Sequence, residues 1–229
     1  MMQPENRQLG TLPDSGPRYN RRCHCLVLQS LMSTAKQTPR WVFLALVFGV
    51  LLLLLALILA RRMEWNAFIL LVYLQTPIYM LHQVEEHTGD RFRAFVNQQI
   101  YGGLDALTPT TVLIANIPGV WGITALSLYL AIGAAAGWGL LGVYLIAVNA
   151  IVHVVALILW RKYNPGLWTA LLLFLPLSVL SFWKSTFTLD PWRHHLIGVG
   201  SALAIHGALV LATRRRAAQL RRDRPVSDK

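Results

Sequence analysis

The segment His82-Gln83-Val84-Glu85-Glu86-His87 places four ionisable groups within six residues at the end of a strongly apolar stretch. Ionisable groups at the edge of a bilayer are costly unless they have partners or a task, so function is sought here first. On a helix, His82 and Glu85 stand i,i+3 and His82 and Glu86 stand i,i+4, which puts both carboxylates beside the imidazole on one face. One turn can therefore offer three metal ligands, or a base with its orienting acids. Mixed histidine and carboxylate ligands suit Zn, Fe or Mn. His87 is turned away from His82 and joins the site only if the helix ends there, an ending that Gly89 suits.

Further polar residues lie on other apolar segments. His153 and Asn149 are i,i+4 and face one way, as a ligand and its supporting partner would. His153 stands eight residues before Arg161, and His206 eight residues before Arg214, a depth of roughly 12 Å at 1.5 Å per residue. Asn116 enters its segment from the same side. The shared depth gathers these residues in the leaflet that holds the glutamate pair. Plainer readings compete. Glu85 and Glu86 can be a solvated turn paired with Arg91 and Arg93, and His153 can be a bundle histidine bonded to a carbonyl. His206 stands alone on its segment and reads as structural, while His194 and His195, after Pro191-Trp192-Arg193, read as interfacial.

These residues need helices to carry them. Of the 229 residues 55% are hydrophobic, mean hydropathy is +0.48, and several runs approach the roughly 20 apolar residues that cross a bilayer. The expectation is an all-α integral membrane protein with six transmembrane helices in one bundle, at about 41–60, 65–82, 110–132, 138–160, 167–184 and 194–212. Pro77 and Pro176 should kink or loosen the second and fifth. Residues 1–40 hold six Lys or Arg against two acids and residues 213–229 hold seven against two, together nine of the net +11. Both ends are thus expected in the cytoplasm, with the protein in the plasma (inner) membrane. Six spans require both ends on one side, so helix count and charge agree. The basic ends read as membrane-facing rather than as nucleic-acid arms.

Residues 1–40, rich in Gly, Pro, Ser, Arg and Asn, are expected to form a flexible basic extension, 41–212 the transmembrane domain and 213–229 a basic cytoplasmic tail. Met32 offers an alternative start. Cys23-His24-Cys25 lacks the second pair that a zinc site needs, and a cytoplasmic tail does not favour a disulfide. Between the second and third spans, Phe92, Phe95, Val96 and Ile100 fall near helical spacing, predicting a short interfacial helix that covers the site. Gly102-Gly103 then breaks it, and Thr108-Pro109 caps the third span.

Between spans four and five, Tyr163-Asn164-Pro165-Gly166 predicts a tight turn, with Gly166 at the positive φ of a type II turn. It would fix the two helices and hold His153 in place, with Tyr163 reaching the polar cluster or anchoring at the headgroups. Taken together, His82-x-x-Glu85-Glu86, His153 and Tyr163-x-Pro165-Gly166 resemble the HXXEE-domain family of small multi-span membrane proteins, over about residues 60–185. The resemblance implies that His82, Glu85, Glu86 and His153 form the functional set and the turn a second signature. It implies no reaction, because the family's function is not established.

Three classes of function remain open. The first is a metal-dependent membrane enzyme, a hydrolase or oxidoreductase, acting on a lipid or other amphiphilic small molecule. Its ligands would be His82, Glu86 and His153, its base or fourth ligand Glu85, and its supporting residues Asn149, Tyr163, Pro165, Gly166 and His206. A glutamate intramembrane protease is the second, and here Arg91 stands one residue beyond the Glu-Glu-x-x-x-Arg spacing of such enzymes. The third is a proton-linked carrier or a non-enzymatic membrane subunit, against which stand the lack of an internal repeat and of midplane charges. No nucleotide-binding glycine loop, serine nucleophile elbow or extended zinc-protease helix occurs.

Overall fold

The computed structural model describes residues 33–34, 37–62, 65–185 and 192–223. Cys23, His24, Cys25 and Met32 lie outside them. Residues from Gln37 onward form one compact unit. Among the described residues the structure is 88% helical with no strand, and six helices are long and apolar enough to cross a membrane. They are Arg40–Arg62, Ala67–His87 with its continuation to Ile100, Pro109–Gly133, Ala136–Trp160, Leu167–Ser185 and Arg193–Arg222.

The helix starts match the expected ones within about two residues, but two ends differ. The second helix runs past the expected 82 to His87, so the whole His82–His87 segment is helical. Hydropathy falls after Leu81, yet Gln, Val and Glu are compatible with a helix, and only the left-handed pair Gly89 (φ 67) and Asp90 (φ 58) ends it. The last helix runs past the expected 212 to Arg222 because its inward stripe continues through the buried Thr213 and Ala217.

Asn66 caps the second helix, accepting from the Ile69 amide at 2.9 Å. Thr108 caps the third, accepting from the Thr111 amide at 3.1 Å, with Pro109 in its first turn. Proline missing an amide loosens the ladder nearby. Pro118 lies inside a π-helical stretch, Ala115–Trp121, and Pro176 follows another, Ala170–Phe174. The first and second helices approach closely where Gly49 faces Met80 and the Pro77 carbonyl. Gly198 lets the last helix lie directly on Leu140 and Tyr144 of the fourth.

The linker after His87 folds as expected into a short helix, Arg91–Phe95, and a π turn, Val96–Ile100, before Gly102 and Gly103 at positive φ. It packs with Trp41, Val112 and Ala217, and Asn97 holds it through bonds to the Leu107 amide and carbonyl. This arrangement brings the start of the first helix, the end of the second and the far end of the last to one end of the bundle.

Candidate metal centre

The second helix buries His82, Gln83, Glu86 and His87 and leaves Glu85 half-buried. The fourth helix brings in His153, also buried. Glu86 lies between the two imidazoles. Its Oε2 is 3.7 Å from His82 Nε2 and its Oε1 is 3.7 Å from His153 Nε2. The three ligand atoms all lie within 4.8 Å of one another. Ligand atoms around a tetrahedral ion with bonds near 2.1 Å are about 3.4 Å apart, so a small closure would bring this set to coordination distance.

The protons on both rings follow from their neighbours. Asn164 donates its amide to the His153 carbonyl at 3.0 Å, which turns its Oδ1 toward the ring, 2.6 Å from His153 Nδ1. An amide oxygen only accepts, so Nδ1 carries a proton, and in the neutral ring Nε2 presents a lone pair to Glu86. Thr169 donates its hydroxyl to Glu85 Oε2 at 2.6 Å and lies 2.8 Å from His82 Nδ1. With that single proton committed to the carboxylate, Thr169 Oγ accepts from His82 Nδ1–H. His82 Nε2 is therefore also a lone pair, and it is buried without a hydrogen-bond partner. In their neutral forms the two rings thus turn an Nε2 lone pair toward the one carboxylate.

Glu85 has a different setting from its neighbour. Its carboxylate accepts from the Tyr163 hydroxyl at 2.8 Å, the Trp168 amide at 3.2 Å, the Thr169 amide at 2.8 Å and the Thr169 hydroxyl. It sits against the first amides of the fifth helix, where the backbone favours an anion. Tyr163 lies in the turn outside the spans, and burial together with the Glu85 carboxylate pushes its phenol up to about 12. It remains a donor at any physiological pH.

Neither arginine makes the glutamates a solvated surface turn. Arg93 pairs with Asp90 at 2.5 Å and Asp105 at 2.9 Å, and Arg91 donates to the carbonyls of Thr88 and Glu85.

The Tyr163–Gly166 turn closes through the Leu167 amide and the Asn164 carbonyl at 3.1 Å, with Gly166 at φ 95. A Cβ on Gly166 would lie 2.7 Å from Cε1 of both His82 and His153. The missing side chain is thus the space into which the two rings converge.

His87 does join the cluster at the end of its helix, with Nε2 3.0 Å from Glu86 Oε2. Trp41 packs on it at 4.9 Å between ring centroids and Phe92 at 5.6 Å. Behind it runs a chain of amides. Trp121 donates to Gln83 Oε1 at 2.6 Å, Gln83 donates to Asn116 Oδ1 at 2.8 Å, and Asn116 Nδ2 lies 3.2 Å from His87 Nε2. Asn149 turns to the Tyr79 hydroxyl, and Tyr79 packs edge-on to His82 at 5.5 Å. The partner of His153 is Asn164 instead. His206 donates from Nδ1 to the Ala202 carbonyl at 2.8 Å. Pro165 serves the turn.

Sequence reasoning did not single out Thr169, Gln83, Trp121 or the side-chain role of Asn164. Gln83 lies inside the motif and Asn164 inside the turn, and each was legible as a polar residue of a signature. Thr169, in the first turn of an apolar helix, carries no such signal.

Residues 73–181 match the family model described as a protein of unknown function with HXXEE motif. No curated protein and no solved structure matches the chain. The matched stretch runs from the second span into the fifth and holds His82, Glu85, Glu86, His153 and the whole Tyr163–Gly166 turn. Over residues 73–181 the chain is an HXXEE-motif domain, of a family whose function is not established.

Proposed function

We propose that the protein is a metal-dependent membrane enzyme, a hydrolase or oxidoreductase, that acts on a lipid or other amphiphile at the cytoplasmic leaflet. The observation that carries this reading is the pair of buried imidazole lone pairs converging on Glu86, with the His82 Nε2 acceptor left unpaired by protein. Burying such a group without a partner costs on the order of 1–3 kcal/mol, a cost that coordination of a cation removes. His82, Glu86 and His153 are the ligands. Two histidines and one carboxylate suit Zn, Fe or Mn and leave room for a further ligand. A divalent ion there would supply a Lewis acid and ease the ionisation of water.

The rest is carried by the chain's own groups. Thr169 and Asn164 fix both rings with Nε2 forward, as the outer partners of metal-bound histidines do. Glu85, taken up by four donors, anchors Thr169 rather than serving as base, and this also weakens the glutamate-protease reading. Phe92 and Trp41 shield the end of the site.

The test is metal content of the full chain purified in mild detergent, by plasma mass spectrometry. Near one metal ion per chain is expected, and none in the His82→Ala, Glu86→Ala double variant. Wild-type protein that holds no Zn, Fe or Mn after purification and after reloading would overturn the proposal.

One observation favours a second reading. The 3.0 Å approach of His87 to Glu86 is also what a proton relay uses. Substrate flux in liposomes that disappears in Glu86→Gln would favour a proton-linked carrier.

A further inference from the structure

His206 is the imidazole that the site as described leaves unused. It lies on the last span next to Ile205, which packs on the cluster of Tyr79, Ala150 and Phe174, and Tyr79 and Phe174 both lie against the His82 ring. Its Nδ1 is committed to the Ala202 carbonyl, a pure acceptor, so in the neutral ring the proton is on Nδ1 and Nε2 holds a lone pair. Among the described residues no hydrogen-bond partner is found for that nitrogen. The other polar groups around the triad are taken except His87 Nδ1, which is buried without a hydrogen-bond partner in a ring packed by Trp41 and Phe92. Glu85 accepts from four donors, His87 meets Glu86 and Asn116, and Asn149 meets Tyr79.

The last span is also the least enclosed of the six. It is sealed at Gly198 and Ala202 against the fourth helix and again at Thr213 and Ala217, where Thr213 meets the Tyr101 hydroxyl at 2.7 Å. Between these contacts its inward residues Ile205, His206 and Leu209 are only half-buried. Ile205 packs toward the cluster around Tyr79 and Leu145, and Leu209 toward the cluster around Trp41 and Leu107. His82 and His153, by contrast, are 0% and 2% exposed. The stretch from 202 to 213 spans roughly 16 Å of helix at 1.5 Å per residue, enough to lay part of an alkyl chain beside it.

Resting on the metal-site reading above, we propose that His206 is the substrate-side residue of the site. A single-chain amphiphile reaches the triad laterally along the half-buried face of the last span, and its hydroxyl head donates a hydrogen bond to His206 Nε2. An apolar chain suits Ile205 and Leu209, and a donor head suits an imidazole that can only accept on that nitrogen.

The probe is a long-chain alcohol with a diazirine next to its hydroxyl end, compared with the chain-matched diazirine alkane, on the full chain in nanodiscs. The alcohol should cross-link within 198–213 and be competed by unlabelled alcohol. His206→Phe should reduce this hydroxyl-dependent labelling by roughly tenfold, about the worth of one buried hydrogen bond. His206→Gln, which keeps an acceptor, should retain most of it, and both variants should keep the metal content of wild type. Equal labelling by alcohol and alkane, or labelling untouched in His206→Phe, would overturn the proposal. A wild-type protein without metal would instead overturn the metal-site reading, whatever the labelling, so the two failures are distinct.

Discussion

Adjacent glutamates on one helix point about 100° apart, and here that angle separates two environments. Glu86 turns into the bundle among three imidazoles, while Glu85 turns to the start of the fifth helix and four donors. Thr169 links them, because its hydroxyl proton goes to Glu85 and its lone pair to His82. Thr169→Val should therefore lower metal affinity by about 10- to 100-fold, with Thr169→Ser near wild type, measured by competition with a chelating dye. Tyr163 makes a different prediction. Its phenol is raised above the ordinary value near 10, so its bond to Glu85 contributes stability that is whole below pH about 10 and fades as pH rises toward about 12. The melting difference between wild type and Tyr163→Phe should stay constant from pH 6 to 9 and shrink above pH 10. The grouping of His82, Glu86 and His153 was legible because helical spacing and depth converge on these residues. The residues that orient their protons were not, since contacts such as Thr169 to His82 cross 87 positions of chain.

Among the elements, the turn between spans four and five has the tightest demands. Its glycine needs a left-handed φ and also leaves room for two rings. Gly166→Ala should cost about 1–3 kcal/mol in backbone strain and push His82 and His153 apart. Bound metal should fall sharply while helical circular dichroism is retained. If Gly166→Ala binds metal as wild type does, the rings do not depend on that space. The positive φ was readable from Asn164-Pro165-Gly166, whereas the approach of the rings needed the packed helices. The second and last helices ran beyond their expected ends for a related reason. Hydropathy marks where apolar side chains stop, but a helix stops where its backbone is broken or its packing ends, as at Gly89 and Asp90.

At the scale of the molecule, six helices place the start of the first and the far end of the last together, beside the cluster of His82, Glu86 and His153. With the basic residues at both ends, we propose that this end faces the cytoplasm. The chain has two cysteines, Cys23 and Cys25, in the segment that precedes the first span. A membrane-impermeant maleimide should leave them unlabelled in intact cells and label them after permeabilisation, whereas Trp192→Cys, 65% exposed at the other end, should be labelled from outside. The six helices among the described residues were readable from run lengths, because an unbroken apolar run near 20 residues matches a helix crossing the bilayer and is about twice what a barrel strand needs.

Trp41 and Thr38 come from the beginning of the bundle, yet Trp41 rests on His87 and Thr38 accepts the Gly89 amide at 2.9 Å. Neither belongs to the stretch that matches the family. The cluster of the motif is thus roofed by a segment that lies outside the matched stretch, residues 73–181. On the metal-site proposal, exchanging residues 37–62 should leave the metal content of the purified protein unchanged while altering what reaches the cluster.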